Sequence, residues 1–172
     1  LWVVEQLGDV FYTRHVEVME KMRKSAQEAI LWPWFEICDR VCIDSTGLGI
    51  GWADDAQDKF GPHRVEGVNF SGPVKEALAY PLRGAMEDRM VRIPEDPKIR
   101  ADLRKVQKTT TAAGNIRFIA DGDDSTKVNG HADRFWALAL ALHAGSSPSA
   151  PIEYESGGPR DSSQPLGDFI HG

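Results

Sequence analysis

Apolar and polar positions change their period several times along the chain, and each change marks an element. Leu1 to Leu7 and Val10 to Met19 are rich in β-branched and aromatic residues. Gly8-Asp9 between them is the two-residue loop of a β-hairpin. From about Ser25 to Cys38, alanine, glutamine, glutamate and large apolar side chains predict a helix, with Pro33 working against its second half. Trp32, Trp34 and Phe35 are its candidate core residues. Val41 to Ile43 reads as a short buried strand ending in Asp44, after which Leu48, Trp52, Ala53, Ala56 and Phe60 keep helical spacing up to Gly61-Pro62. Arg64 to Ser71 is the next strand. Gly72-Pro73 then opens a helix with Val74, Leu78, Leu82, Ala85 and Met86 on one side.

Val91 to Ile93 is a strand closed by Pro94, and Asp96-Pro97 is an N-cap followed by proline at the first helical position. The helix that starts there presents Ile99, Leu103 and Val106 on one face. Lys98, Arg100, Arg104, Lys105 and Lys108 lie mostly off that face, as a solvated surface or, for Arg104, Lys105 and Lys108 with Lys127 of the following polar loop, as a basic border for a polyanion. Asn115 to Ala120 is a further strand, and Asp121 to Gly130 a polar loop. His131 to Ala144 is a helix apolar nearly all round after its first turn, so it should be buried on several sides. From Gly145 onward the chain has the composition of a disordered or extended tail, which predicts one domain over 1–145 and a tail over 146–172. A hairpin followed by strands alternating with helices predicts an α/β domain with a mixed sheet flanked by helices.

Bulk numbers narrow this picture only a little. The 172 residues, 41% apolar, suffice for one core. A net charge of −6 argues against a surface that grips nucleic acid everywhere, though a local basic stripe is compatible with it. The two cysteines, Cys38 and Cys42, have a spacing too poor for a zinc site and read as structural. With no signal peptide and no apolar run of transmembrane length, a soluble, cytoplasmic protein is expected. The chain opens at Leu1 in what reads as mid-strand and without an initiating methionine, which suggests a piece of something longer.

Candidate chemistry centres on Arg40 to Gly51, RVCIDSTGLGIG, a strand running into a glycine-rich turn that opens a helix. That arrangement places a crevice at the carboxyl end of the strand, and Asp44 in it. The glycines match no phosphate-loop fingerprint. A carboxylate there must be solvated, hydrogen-bonded or bound to a cation. Asp133 begins the last helix with Trp136, Ala137 and Leu140 on its face, which should point inward, and spacing alone also accounts for it as a partner of the positive helix N-terminus. If that N-terminus packs over the Asp44 strand end, the two carboxylates become the paired oxygen ligands that magnesium or manganese takes. Asp121, Asp123 and Asp124 are possible additional ligands, and His131 is either a helper or a polar helix-start residue.

The runs RVCIDSTGLG, HRVEGVNFSGPVKEALAYPLRGAMEDRMVRIPEDPKIRADLRKV, AAGNIRF and HADRFWALALALHAG resemble the C-terminal nuclease domain of phage terminase large subunits, of the Mu-like phage and prophage type. The resemblance covers about Leu1 to Gly145 and is most specific in IDSTGLG and HADRFWALALA. It implies a ribonuclease H-like fold and an acidic cluster holding two divalent ions, Mg2+ or Mn2+, that cuts double-stranded DNA during genome packaging. It further implies that Asp44 and Asp133 are the second and third acidic motifs, catalytic and metal-binding. The packaging portal and the small terminase subunit are the implied partners, the host bacterial cytoplasm the implied location, and no membrane is involved. The family's first acidic motif, on the first central strand just before LWVVEQLG, and its ATPase domain are absent from this sequence. Two other readings stand beside the endonuclease: a catalytically silent structural or interaction domain of the same fold, and another ribonuclease H-like nuclease such as a junction resolvase.

Overall fold

The computed structural model describes residues 1–47, 49–110, 116–120 and 132–146. The hairpin forms as its pattern predicts: β1 (Trp2–Leu7) and β2 (Val10–Val16) pair antiparallel with Leu7 opposite Val10. Helix α1 (Lys24–Ile37) runs through Pro33, which sits on its exposed side while Leu31 and Phe35 are buried. An interior proline costs about 3 kcal/mol in a free helix. Here the apolar side chains on either side of it pack into a common cluster and offset that loss. Strand β3 (Val41–Asp44), helix α2 (Gly49–Phe60) and strand β4 (Val65–Val68) make a strand-helix-strand unit with β3 and β4 parallel, Val41 opposite Val65 and Asp44 opposite Val68.

Helix α3 (Gly72–Glu87) buries Leu78, Ala79 and Leu82, while Met86, placed on the same side by its spacing, is 38% exposed near the helix end. Strand β5 (Val91–Arg92) adds parallel to β2, so the first sheet, ordered β1-β2-β5, is mixed. Helix α4 (Pro97–Lys105) starts as expected, with the Asp96 carboxylate accepting from the backbone N–H groups of Lys98 at 2.6 Å and Ile99 at 3.3 Å.

Its end differs from the periodicity. The chain leaves the helix at Lys105 and forms β6 (Val106–Thr110), paired antiparallel with β7 (Ile116–Ala120). Val106 and Lys108 are therefore strand residues. The β-branched run in VQKTT suits a pleated pairing, and a partner strand distant in sequence overrides the helical period. Helix α5 (Asp133–Ser146) is buried at Phe135, Leu138, Ala139, Leu140 and Leu142, as a helix apolar on most sides must be. The loop from Asp121, His131 and the tail lie outside the described residues.

Alternation along β3 divides the core. Val41 and Ile43 pack with α1 and α2 in one cluster, whereas Cys42 packs with α5 in the larger one. Asp44, two positions after Cys42, is on the α5 side by the same period. No helix among the described residues is long and apolar enough to cross a membrane.

Candidate functional site

Asp44 is half-buried at the last position of β3. Its Oδ1 accepts the backbone N–H of Thr46 at 2.9 Å, the local turn bond a short carboxylate makes two residues on. The turn has little freedom. Gly47 has φ +58°, and a Cβ at Gly49 would collide with the backbone carbonyl of Asp44. The glycines of IDSTGLG thus let α2 begin directly against the strand end, which fixes where the carboxylate sits. Thr46 Oγ1 in turn accepts the backbone N–H of Phe70 at 3.0 Å, tying the ends of β3 and β4 together.

Phe70 carries this end of the sheet to α5. Its ring meets that of Trp136 edge-on at 5.4 Å, and Trp136 is one turn from Asp133. Two hydrogen bonds and one aromatic contact therefore link Asp44, through Thr46 and Phe70, to Trp136 in the first turn of the helix that Asp133 begins. Asp133 itself is exposed. The helix face that carries it is half-buried at Trp136 and Ala137 and buried at Leu140. Its charge reaches the amino group of Leu1, where burial lowers the pKa while Glu17 and Asp133 act to raise it.

Beside this end runs a cleft of about 970 Å³. It is lined by Leu1 and Trp2 to Gln6 of β1, by Val41 to Asp44 of β3, by residues of α1, and by Ala137, Leu140, Ala141 and Ala144 of α5. Among the described residues β1 pairs only with β2 and β3 only with β4, so both strands present unpaired backbone edges.

Two other charged groups near α5 behave differently from Asp44. Asp102 is buried and receives Lys105 Nζ at 2.8 Å and Arg134 Nη1 at 2.6 Å. Burial works to raise its pKa, but the hydrogen bonds from Lys105 and Arg134 outweigh that and leave it below the ordinary carboxylate range. At the far end of α5, Glu66 pairs with Arg40, accepts a hydrogen bond from the Cys42 thiol at 3.7 Å and lies 3.4 Å from His143 Nε2. Burial again opposes, and Arg40 and His143 again prevail, so Glu66 is also held low. Burial and the charge of Glu66 push the Cys42 thiol up to about 12.

Among the described residues Cys42, Glu66 and His143 are the cluster in which three potential metal ligands come together, their ligand atoms all within 4.8 Å of one another; neither Asp44 nor Asp133 belongs to it. Sequence reasoning missed this group. Cys42 and Glu66 face each other only through the β3–β4 register, and His143 arrives from α5.

A mixed α/β fold with a half-buried aspartate at a strand end lining an open cleft, and a second aspartate at the start of the last helix, is the architecture of a ribonuclease H-like domain. The chain belongs to the terminase RNaseH-like domain family, whose model matches residues 1–144. Its fold is similar to the large terminase nuclease from thermophilic phage G20c, at 25% identity and a TM-score of 0.62 over 83% of this chain and 81% of that one. The same nuclease with bound magnesium gives 25% identity and a TM-score of 0.61 over 83% and 80%. The Thermus phage P74-26 large terminase nuclease domain is 28% identical, with a TM-score of 0.55 over 72% of this chain and 61% of that chain. No curated protein matches it.

Proposed function

We propose that the chain is the divalent-metal-dependent endonuclease domain of a phage DNA-packaging terminase large subunit, with Asp44 and Asp133 as metal ligands. The observation that supports this reading is the run of contacts Asp44–Thr46–Phe70–Trp136, which joins the strand end bearing Asp44 to the first turn of the helix that Asp133 begins, in a domain of this family. The magnesium-bound and cobalt-bound forms of the related G20c nuclease support a divalent ion.

The donor set fits a hard cation. Asp44 and Asp133 offer oxygens only, and neither is paired with a side-chain cation among the described residues, unlike Asp102. Bound Mg2+ or Mn2+ would supply Lewis-acid stabilisation of the charge that develops on a scissile phosphodiester. The protein's part is positional. Thr46 N–H holds Asp44 Oδ1 and orients the carboxylate, Gly49 lets α2 lock the turn, and the rigid α5 presents Asp133.

A two-ion site needs more than two carboxylates, and the cleft between β1 and β3 is where a further strand bearing one fits. Double-stranded DNA is the substrate in this reading. The packaging portal and small terminase subunit are the partners, and the host cytoplasm is the location.

The test is plasmid nicking with manganese, on this chain and on a chain extended by an upstream acidic strand. The extended chain should cleave, its Asp44→Asn and Asp133→Asn forms should not, and the short chain should cleave weakly or not at all. Undiminished cleavage by Asp44→Asn would remove Asp44 from the site, and an inert extended chain would favour the silent structural domain.

A further inference from the structure

We propose that Cys42, Glu66 and His143 form a binding site for a borderline-soft divalent ion of the zinc class, at the seam of β3, β4 and α5. The geometry is that of a tetrahedral face. With metal–sulfur bonds of about 2.3 Å and metal–nitrogen or metal–oxygen bonds of about 2.0–2.1 Å, neighbouring ligand atoms sit roughly 3.6 Å apart for sulfur and oxygen and roughly 3.3 Å for nitrogen and oxygen. Here His143 Nε2 lies 3.4 Å from Glu66 Oε1, matching the nitrogen–oxygen edge, while Cys42 Sγ lies 3.7 Å from the other carboxylate oxygen, Oε2, so a rotation of the carboxylate completes the sulfur–oxygen edge. All three ligand atoms lie within 4.8 Å, so closing the sulfur–nitrogen edge takes about an ångström of side-chain movement.

The surroundings divide the work of Glu66. Arg40 holds Oε2, which leaves Oε1, the oxygen facing His143, for the ion, and a ligating carboxylate is commonly oriented through its other oxygen in this way. As the metal–sulfur bond forms, the thiol proton leaves to water, which reaches Cys42 through the cleft that it lines; water would complete the coordination. One thiolate, one imidazole and one carboxylate select zinc or cobalt over magnesium, which takes oxygen ligands and keeps its waters. The site is distinct in chemistry from the Asp44 and Asp133 pair and does not depend on nuclease activity. Its consequence is mechanical: it ties the last turns of α5 to β3 two residues before Asp44.

Cobalt(II) titration of the intact chain is the test, because a thiolate on cobalt gives a near-ultraviolet charge-transfer band and tetrahedral cobalt gives intense visible bands, neither of which oxygen ligands produce. The bands should saturate at one ion per chain, be displaced by zinc and survive excess magnesium. Cys42→Ser should abolish them, His143→Gln should weaken binding about 10-fold or more, and Cys38→Ser should leave them unchanged. Absence of the bands in the wild type, their persistence in Cys42→Ser, or their loss in Cys38→Ser would overturn the assignment. Should Cys42→Ser fail to fold, His143→Gln decides, since its side chain is 38% exposed and its loss is tolerable for folding. Unchanged cobalt affinity there overturns the site.

Discussion

Asp102 and Asp44 answer the same physical problem, a carboxylate drawn away from bulk water, in opposite ways. Asp102 is neutralised on the spot: Lys105 reaches it from the same helix and Arg134 from the first turn of α5, and both hold it by charge-assisted hydrogen bonds. Among the described residues, Asp44 receives a backbone N–H from its own turn and no side-chain cation. The first is satisfied within the protein and fastens α4 to α5, whereas the second has no cationic side chain against it among the described residues, which is what the proposed metal-binding role requires. The same contrast appears in adjacent residues of α5, where Arg134 is tied down and Asp133 is exposed.

Substitutions should separate the two behaviours most sharply. In the extended, cleaving chain, Asp133→Asn should reduce cleavage by more than about 100-fold, because even groups that merely orient metal ligands cost roughly 10–100-fold when removed. Its melting temperature should scarcely change. Asp102→Ala should do the reverse, costing about 1–3 kcal/mol by leaving Lys105 and Arg134 without their shared partner, with the lower end favoured by the partial exposure of both cations. Cleavage per folded molecule should remain. Urea denaturation beside the nicking assay reads both, and an Asp133→Asn chain that lost stability rather than activity would erase the distinction.

Acid should expose the structural carboxylates before it says anything of the site. Asp102 and Glu66 both have folded-state pKa values below the ordinary one, so the stability they contribute is fully present above the unfolded carboxylate range of roughly 3.9–4.3 and is lost as pH falls through their lower folded values. Unfolding free energy should therefore hold level down to about pH 5 and fall below about pH 4. Asp102→Asn should flatten that acid limb. An unchanged limb in this variant would mean that Asp102 and its cations are not coupled to folding.

How far the chain could be read without coordinates follows from the range of each interaction. The hairpin, the strand ending at Asp44, the Asp96 cap and the buried last helix are set by neighbours a few residues away, and their patterns appear in the sequence. Helix α4 was expected to continue through Val106 because nothing local stops it; the stop comes from β7, ten residues on, pairing with VQKTT. Asp133 was expected to point inward with Trp136, yet the first turn of a helix need not share the burial of the turns behind it. The Cys42, Glu66 and His143 group was invisible for the same reason in a stronger form. Its spacings in sequence are fixed by a strand register and a helix docking, and neither leaves a local mark.

The smallest expected effect concerns the basic residues that resembled a stripe along one helix. Lys105 and Lys108 belong to different elements, and their charges are differently committed. Lys105 is bound to Asp102, whereas Lys108 is exposed on β6 with its ammonium 5.4 Å from the Tyr80 ring centroid and in no ion pair among the described residues. A cation held over an aromatic face keeps its charge available to a phosphate, while one already bonded to a carboxylate must first be released. Lys108→Glu should therefore weaken duplex DNA binding a few-fold and make the dependence of log affinity on log salt shallower by about 0.9, the share of a single phosphate contact. Lys105→Glu should act mainly on stability, since it sets a second negative charge against Asp102. Fluorescence anisotropy with a labelled duplex across a salt series, in calcium to prevent cleavage, distinguishes them. Equal salt slopes for Lys108→Glu and the parent would place the DNA path elsewhere on the surface, with exposed Arg104 the next residue to reverse.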